Sequence, residues 1–312
     1  MASPDTPDLI VVGQVTIDDV VPAAPGSWKR QIGGSSLYAV AGARLWLDPA
    51  RIGLVARVGR NYPFDPVRLL ERAGLRHVAM HPFAGEHLVE WLIYEPDGSR
   101  RSLPRNSELL DIGAVGTRSS WEDYQEKLIA IAPCAAEVPG TWLPAAALHL
   151  CPQAGRRQRE TLATLRNQVR WICVDPSPHY SRDSTIAELA QQLLGATAFL
   201  PSANEIRPLL ETAGAAAVVL GLHRAGFAEV ALKRGDQPVL LASGGAVNSV
   251  PIAPAKVVDP TGAGDSFCGA YAACRLIGHE PIEAARRATA TAALIVGCSG
   301  VEEALSLETP AL

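Results

Sequence analysis

Hydrophobic and polar positions along the chain fall into short blocks whose periods alternate. Residues 9–13 (LIVVG) form an apolar run closed by glycine, which predicts a buried strand. Residues 52–58 predict another, ending at Gly59. Between them Gly33-Gly34-Ser35-Ser36 opens a small-residue stretch, with alanine at 39, 41 and 43, that predicts a helix over 37–47. A second helix is expected over 66–73, started by Pro66 and stopped at Gly74. After Pro104 the alternation resumes. Apolar runs at 146–150, 171–174, 198–200, 216–220 and 228–232 predict strands, and 157–168, 184–194 and 205–211 predict helices among them. Two apolar helices, 266–277 and 281–296, close the pattern. Such alternation implies an α/β fold, an open and mostly parallel sheet with helices on both faces.

One stretch follows a different rule. Residues 87–94 (HLVEWLIY) lead into Pro96-Asp97-Gly98, a strong turn signal, and residues 100–103 can return as a second strand. This reads as an antiparallel ribbon outside the parallel core. With residues 14–32 as neighbouring strands, it predicts a small β lid built from roughly 14–32 and 86–103. Neither an internal repeat nor a linker divides the chain, so residues 1–312 read as a single domain.

Charge narrows the partners. Lys plus Arg number 28 against 32 Asp plus Glu, a formal net of -4, which provides no basic field for nucleic acid or an acidic membrane. The first eight residues lack a basic leader, and no uncharged stretch reaches the length of a bilayer span, so a cytoplasmic location is expected. Six cysteines without a CxxC pair read as buried thiols, not as a disulfide framework or zinc knuckle. The seven histidines lack ligand spacing. Neither GxxxxGK[ST] nor GxGxxG occurs, which argues against a P-loop ATPase and a dinucleotide enzyme.

The densest chemistry lies in residues 257–271, VVDPTGAGDSFCGAY. Gly262-Ala263-Gly264 let backbone N–H groups approach an anion with no side chain in the way, and a helix expected to start at Ser266 adds its positive end. Asp265 at the mouth of that cradle can take a proton from an attacking hydroxyl. The plainer alternative is that Asp265 caps the helix and the glycines only turn the chain.

Asp259-Pro260-Thr261-Gly262-Ala263-Gly264-Asp265 resembles the Asp-Thr-x-Gly-Ala-Gly-Asp signature of the ribokinase-like, PfkB-type carbohydrate kinases. The resemblance implies a three-layer sandwich with a central, mostly parallel sheet and a small β-strand lid. It further implies an ATP-dependent kinase that phosphorylates a hydroxyl of a sugar or sugar-like polyol, with nucleosides and cyclitols as alternative acceptors. Asp265 would be the general base, and Gly262, Ala263 and Gly264 the anion hole.

The resemblance extends across nearly the whole chain. Gly13 followed by Asp18 resembles the family's Gly-x-x-Asn-x-Asp opening, whose Asp binds substrate hydroxyls, and Thr16 stands at the Asn. Gly33-Gly34 resembles the glycine pair near the sugar, and Tyr38 stands where Asn is usual. Residues 202–205 resemble the Asn-x-x-Glu motif that organises Mg²⁺, with Ser202 at the Asn and Glu205 in place to act on the metal through water. Lys233 and Gly235 match the turn near the nucleotide phosphates, although Lys233 with Arg234 also reads as a solvated pair and Pro238 departs from the usual glycine.

Asp259 and Thr261, with Gly297 and Gly300 as turn formers, match positions that bind K⁺ in potassium-activated members. Asp175-Pro176-Ser177-Pro178, after a strand, is a weaker candidate for the edge of the site. The family's lids commonly pair between subunits, which implies a homodimer. The substitutions at Thr16, Tyr38, Ser202 and Pro238 support a different reading, a catalytically silent ligand-binding protein, which retention of Gly262 to Asp265 opposes.

Overall fold

The computed structural model describes residues 6–21, 29–94, 100–101 and 121–308. Its strands in chain order begin with β1 (Leu9–Val12), β2 (Thr16–Val21), β3 (Lys29–Gly33), β4 (Ile52–Val58), β5 (His77–Pro82), β6 (Val89–Tyr94) and β7 (Arg100–Arg101). They continue with β8 (Ala145–Leu150), β9 (Val169–Val174), β10 (Ala198–Phe199), β11 (Glu229–Arg234), β12 (Gln237–Ser243) and β13 (Ala246–Val250).

β1 lies inside the central sheet, where Leu9 pairs in parallel with Ile52 of β4 on one side and Ala147 of β8 on the other. All of its residues are buried, as a parallel strand covered on both faces requires. Leu9 and Val11 point into one apolar layer with the Ser35–Ala43, Ala263–Leu276 and Pro281–Ile295 helices. Ile10 and Val12 point into the opposite layer, under the Gly155–Leu165, Ile186–Gln192 and Ala215–Arg224 helices. The sheet has nine strands in the order β13-β12-β11-β10-β9-β8-β1-β4-β5. From β5 to β11 every pairing is parallel, as the alternating pattern predicts.

At the other edge β11, β12 and β13 form an antiparallel meander, turned by Gly235 at φ 67 and by Gly244-Gly245 at φ 57 and 83. The run at 228–232 announces β11, but β12, β13, β5 and the Trp121–Ala130 helix carry no distinct signal in the hydrophobic pattern. Residues 216–220 overturn an expectation: the run predicts a strand but forms the Ala215–Arg224 helix. Its buried residues Val218, Val219 and Leu222 recur on one helical face, and Gly214 at φ 77 ends the preceding helix just before it.

Two helices of one layer touch backbone to backbone. A Cβ on Gly42 would lie 2.1 Å from the Ser266 carbonyl oxygen, and one on Gly269 would lie 1.8 Å from that of Ala39. The alanine-rich composition read as helix-forming therefore also sets the close approach of Ser35–Ala43 to Ala263–Leu276.

A second sheet has four strands in the order β3-β2-β6-β7. β2 pairs antiparallel with β3 and parallel with β6, and β6 returns antiparallel through β7. The return that the ribbon pattern predicts is therefore present, while its Pro96-Asp97-Gly98 turn lies outside the described residues.

Candidate active site

A cleft of about 390 Å³ opens between the two sheets, at the carboxyl ends of the parallel strands. Open α/β sheets place their ligands at this end, because successive strands and crossovers leave a crevice there. Gln14, Thr16 and Asp18 enter from β2 and the segment before it, and Glu90 and Leu92 from β6. Gly34, Ser35 and Tyr38 come from the next helix start, and Thr261, Gly262 and Asp265 from the glycine turn.

Asp18 is buried and accepts a 2.6 Å hydrogen bond from the Thr16 hydroxyl. Its carboxylate lies so close to Gly33 that a Cβ there would fall 1.8 Å from an oxygen, so a glycine is required beside it. Gly34, at φ 116, packs against the Gln14 carbonyl and Val15 and lets the helix begin hard against the segment that leads into β2. Ser36 fastens that junction through Oγ to the Gln14 carbonyl at 2.7 Å.

The glycine turn starts its helix sooner than the sequence suggests. Ala263 is the first helical residue, and Gly262, at φ 76, is the cap. Expectation placed the start at Ser266, but the left-handed glycine allows the chain to enter the helix one turn earlier. Ala263, Gly264 and Asp265 thus occupy the first turn, where backbone N–H groups have no carbonyl behind them in the helix. Asp265 shares the cleft with Asp18.

The Tyr38 ring lies on Gly262, where a Cβ would fall 2.1 Å from its carbons. Its hydroxyl is buried without a hydrogen-bond partner among the described residues. Burial, then the charges of Asp259 and Asp18, hold that phenol far above its ordinary range, so it stays protonated and able to donate. Gln153, also lining the cleft and 1% exposed, has neither end of its carboxamide paired among the described residues. Two buried polar groups left open in one cleft are costly unless a ligand satisfies them.

Lys233 lies at a bulge between Leu232 and Arg234, on the face of β11 that Glu229 and Ala231 also present to the Ala263–Leu276 helix. Its ammonium donates to both Asp175 oxygens, at 2.8 and 2.7 Å, and to Cys268 Sγ at 3.1 Å. A Cβ on Gly264 would lie 3.5 Å from that nitrogen, which places the charge directly behind the glycine turn. The expected alternative of a solvated pair therefore holds only for Arg234, which bonds Pro238 and Gln237 at the exposed hairpin. Burial disfavours the Lys233 charge, but Asp175, Cys268 and Glu205 raise its pKa well above the ordinary value. Glu205 lies in the cleft with Oε2 on the Ser202 amide at 2.7 Å; burial pushes it up against the pull of Lys233.

Asp259 Oδ1 accepts from the Thr261 amide at 2.9 Å and from the Tyr94 hydroxyl at 3.1 Å, and that hydroxyl also meets Thr261 Oγ1. Gly235, Gly297, Gly300 and Gly33 stand outside the cleft lining. Gly235 is at an exposed hairpin tip, and Gly300 packs on Gln31 of β3. Ser177 and Pro178 do line the edge, and His179, Tyr124 and Gln153 join them without any motif to announce them. For Gln153 the available signal is its position just past the end of β8, where such a sheet presents its ligand residues.

The chain is 24% identical to the cytidine kinase of Thermococcus kodakarensis over 270 residues, 85% of this chain and 87% of that one. A shorter stretch of 87 residues, 27% of this chain and 28% of the relative, is 38% identical to the 2-dehydro-3-deoxygluconokinase of Escherichia coli K12. In fold it resembles the fructokinase with bound ATP from Xylella fastidiosa, at a TM-score of 0.68 and 19% identity, covering 95% of this chain and 94% of that one. The profile of the pfkB family carbohydrate kinases matches residues 151–309, the half of the chain that holds Asp175, Glu205, Lys233 and the glycine turn. The chain belongs to the pfkB family carbohydrate kinases, phosphotransferases that act on a hydroxyl group.

Proposed function

We propose that this kinase uses ATP and Mg²⁺ to phosphorylate a hydroxyl of a sugar or sugar-like polyol. The observation that carries the proposal is the convergence of Asp18, Asp265 and the Gly262 turn on one cleft. In this reading Asp18 accepts hydrogen bonds from acceptor hydroxyls, and Tyr38 and Gln153 satisfy their open groups on the same molecule. Asp265 takes the proton of the attacking oxygen, and the amides of Gly262, Ala263 and Gly264 carry the charge of the transferred phosphoryl.

Lys233, held behind Gly264, adds a fixed positive field to that cradle, and Gly235 keeps its strand turn compact near the nucleotide. Among the described residues no three carboxylate, histidine or cysteine groups form a metal cluster of their own, both Asp175 oxygens being taken by Lys233, so any cation would rest on one or two carboxylates. Mg²⁺ is commonly held by one or two carboxylates together with substrate phosphates and water. Glu205 would hold it here, and the ion would neutralise charge on the phosphates. K⁺ near Asp259, Thr261, Gly297 and Gly300 belongs to the same proposal.

A nucleoside is the second acceptor reading. It is favoured by the likeness to a cytidine kinase over most of both chains. The test is coupled ADP release with ATP and Mg²⁺, with and without K⁺, over sugars, sugar acids, cyclitols and nucleosides. An acceptor-dependent rate that falls at least about 100-fold in Asp265→Asn is expected for loss of a general base. Full phosphoryl transfer by that variant would overturn the assignment of Asp265.

A further inference from the structure

Strand β6 sends alternate side chains into the cleft. Glu90 and Leu92 line it, and Tyr94, the next residue in the same period of two, reaches past it to the loop that precedes the glycine turn. Thr261 Oγ donates to Tyr94 Oη, which donates to Asp259 Oδ1, and the Thr261 amide closes the circuit on the same oxygen. Asp259 is itself moored on the far side, its amide and that of Val258 both bonding the Val296 carbonyl, at 3.1 and 2.7 Å. A second strand of this sheet makes a parallel approach: Gln31 of β3 is buried against Gly300, just beyond that same moored loop. The four-stranded sheet is therefore seated on the loop that leads into Gly262 and on Gly300, four residues past the Val296 carbonyl that moors that loop, and not only on its own side of the cleft.

We infer that Tyr94 is a positioning residue: through Thr261 and Asp259 it ties the sheet above the acceptor to the turn that aims Gly262 and Asp265. The inference rests on the kinase reading of this cleft. Its chemical consequence is selectivity between alcohol and water. When β6 is seated, the loop leading into the helix is fixed and the first-turn amides and Asp265 are aligned for transfer. When it is not seated, the turn is looser and the site is inefficient toward the acceptor, and water gains relative to it.

The test compares the wild-type chain with Tyr94→Phe, which keeps the ring and removes one oxygen, and with Thr261→Val and the double variant. Backbone hydrogen exchange is read in peptides covering residues 257–266, with residues 237–250 as an internal control, on protein without nucleotide and with MgADP. Loss of a hydrogen bond to a charged group is expected to speed exchange over 257–266 by about 10-fold while the control stays unchanged. The double variant should be no faster than Tyr94→Phe alone, because the bond that Thr261→Val removes is one of the two already lost with the Tyr94 hydroxyl.

Unchanged exchange over 257–266 in a folded Tyr94→Phe protein would overturn the inference, whether or not any acceptor is phosphorylated. With an acceptor from the screen, the ratio of ADP released to acceptor phosphorylated should rise in Tyr94→Phe. A fall in overall rate with that ratio unchanged would make Tyr94 a purely structural contact and would also overturn the inference. Failure of the kinase reading shows separately, as wild-type protein that phosphorylates nothing in the panel.

Discussion

Lys233 meets Asp175 with one nitrogen on two oxygens, at 2.8 and 2.7 Å, and both side chains are withdrawn from solvent. The pair joins the bulge in β11 to the segment after β9, across the intervening β10. Breaking such a pair leaves one charge buried and uncompensated. Lys233→Met should therefore cost about 3–5 kcal/mol. Lys233→Met combined with Asp175→Leu should be less destabilised than Lys233→Met alone, because no charge is then stranded. Urea unfolding of the single and double variants measures both.

Two buried histidines set the acid side of the stability profile. The Gly59 amide donates to His87 Nδ1 at 3.0 Å, so Nε2 carries the proton and donates to the Val15 carbonyl at 2.9 Å. Burial lowers His87 to about 4, and burial with the nearby charge of Lys233 lowers His149 to about 3. The unfolded chain takes up these protons near pH 6.5, while the folded chain refuses them until far lower pH. The unfolded state thus binds more protons across this window, and stability rises with pH through it. Stability should be complete only above about pH 7.5 and fall by roughly 4 kcal/mol between about pH 7 and pH 5. Unfolding curves across that range, repeated on His87→Gln, should show a shallower slope in the variant.

Tyr38→Phe separates the fold from the acceptor. The free protein loses only a buried hydroxyl that has no partner among the described residues, so its melting temperature should stay the same or rise slightly. If the hydroxyl is satisfied by the acceptor, KM for that acceptor should rise about 5- to 10-fold, the value of one hydrogen bond. Steady-state kinetics with an acceptor from the screen, beside a thermal melt, gives both readings.

The alternation of apolar runs announces most of the parallel sheet, because a strand buried on both faces must be apolar throughout. The same rule misreads 216–220, where valine and leucine are buried on one side of a helix. Asp265 and Gly262 are legible because chemistry compresses them into a few adjacent residues. Lys233 is half legible: its place in the motif and its face of β11 are visible, but the carboxylate that holds it, Asp175, lies 58 residues away in sequence. Gln153 and Tyr94 are opaque for a different reason. Each is an ordinary residue given its place by chain segments far away in sequence, and only the assembled sheets bring Gln153 to the cleft and Tyr94 to the loop before the glycine turn.

The close contact of Gly42 with Ser266 and of Gly269 with Ala39 bears on how such an enzyme changes its diet. The helix that carries Tyr38 and the helix that carries Asp265 cannot slide past each other without a steric collision, so they act as a single jig. Whatever molecule enters, the distance from phenol to carboxylate is set before it arrives. Adaptation to a larger or smaller acceptor must then be absorbed by the four-stranded sheet, where β2 and β6 supply Asp18, Glu90 and Leu92. Natural variation in acceptor choice should accordingly accumulate on those strands, while the helix pair stays almost unchanged.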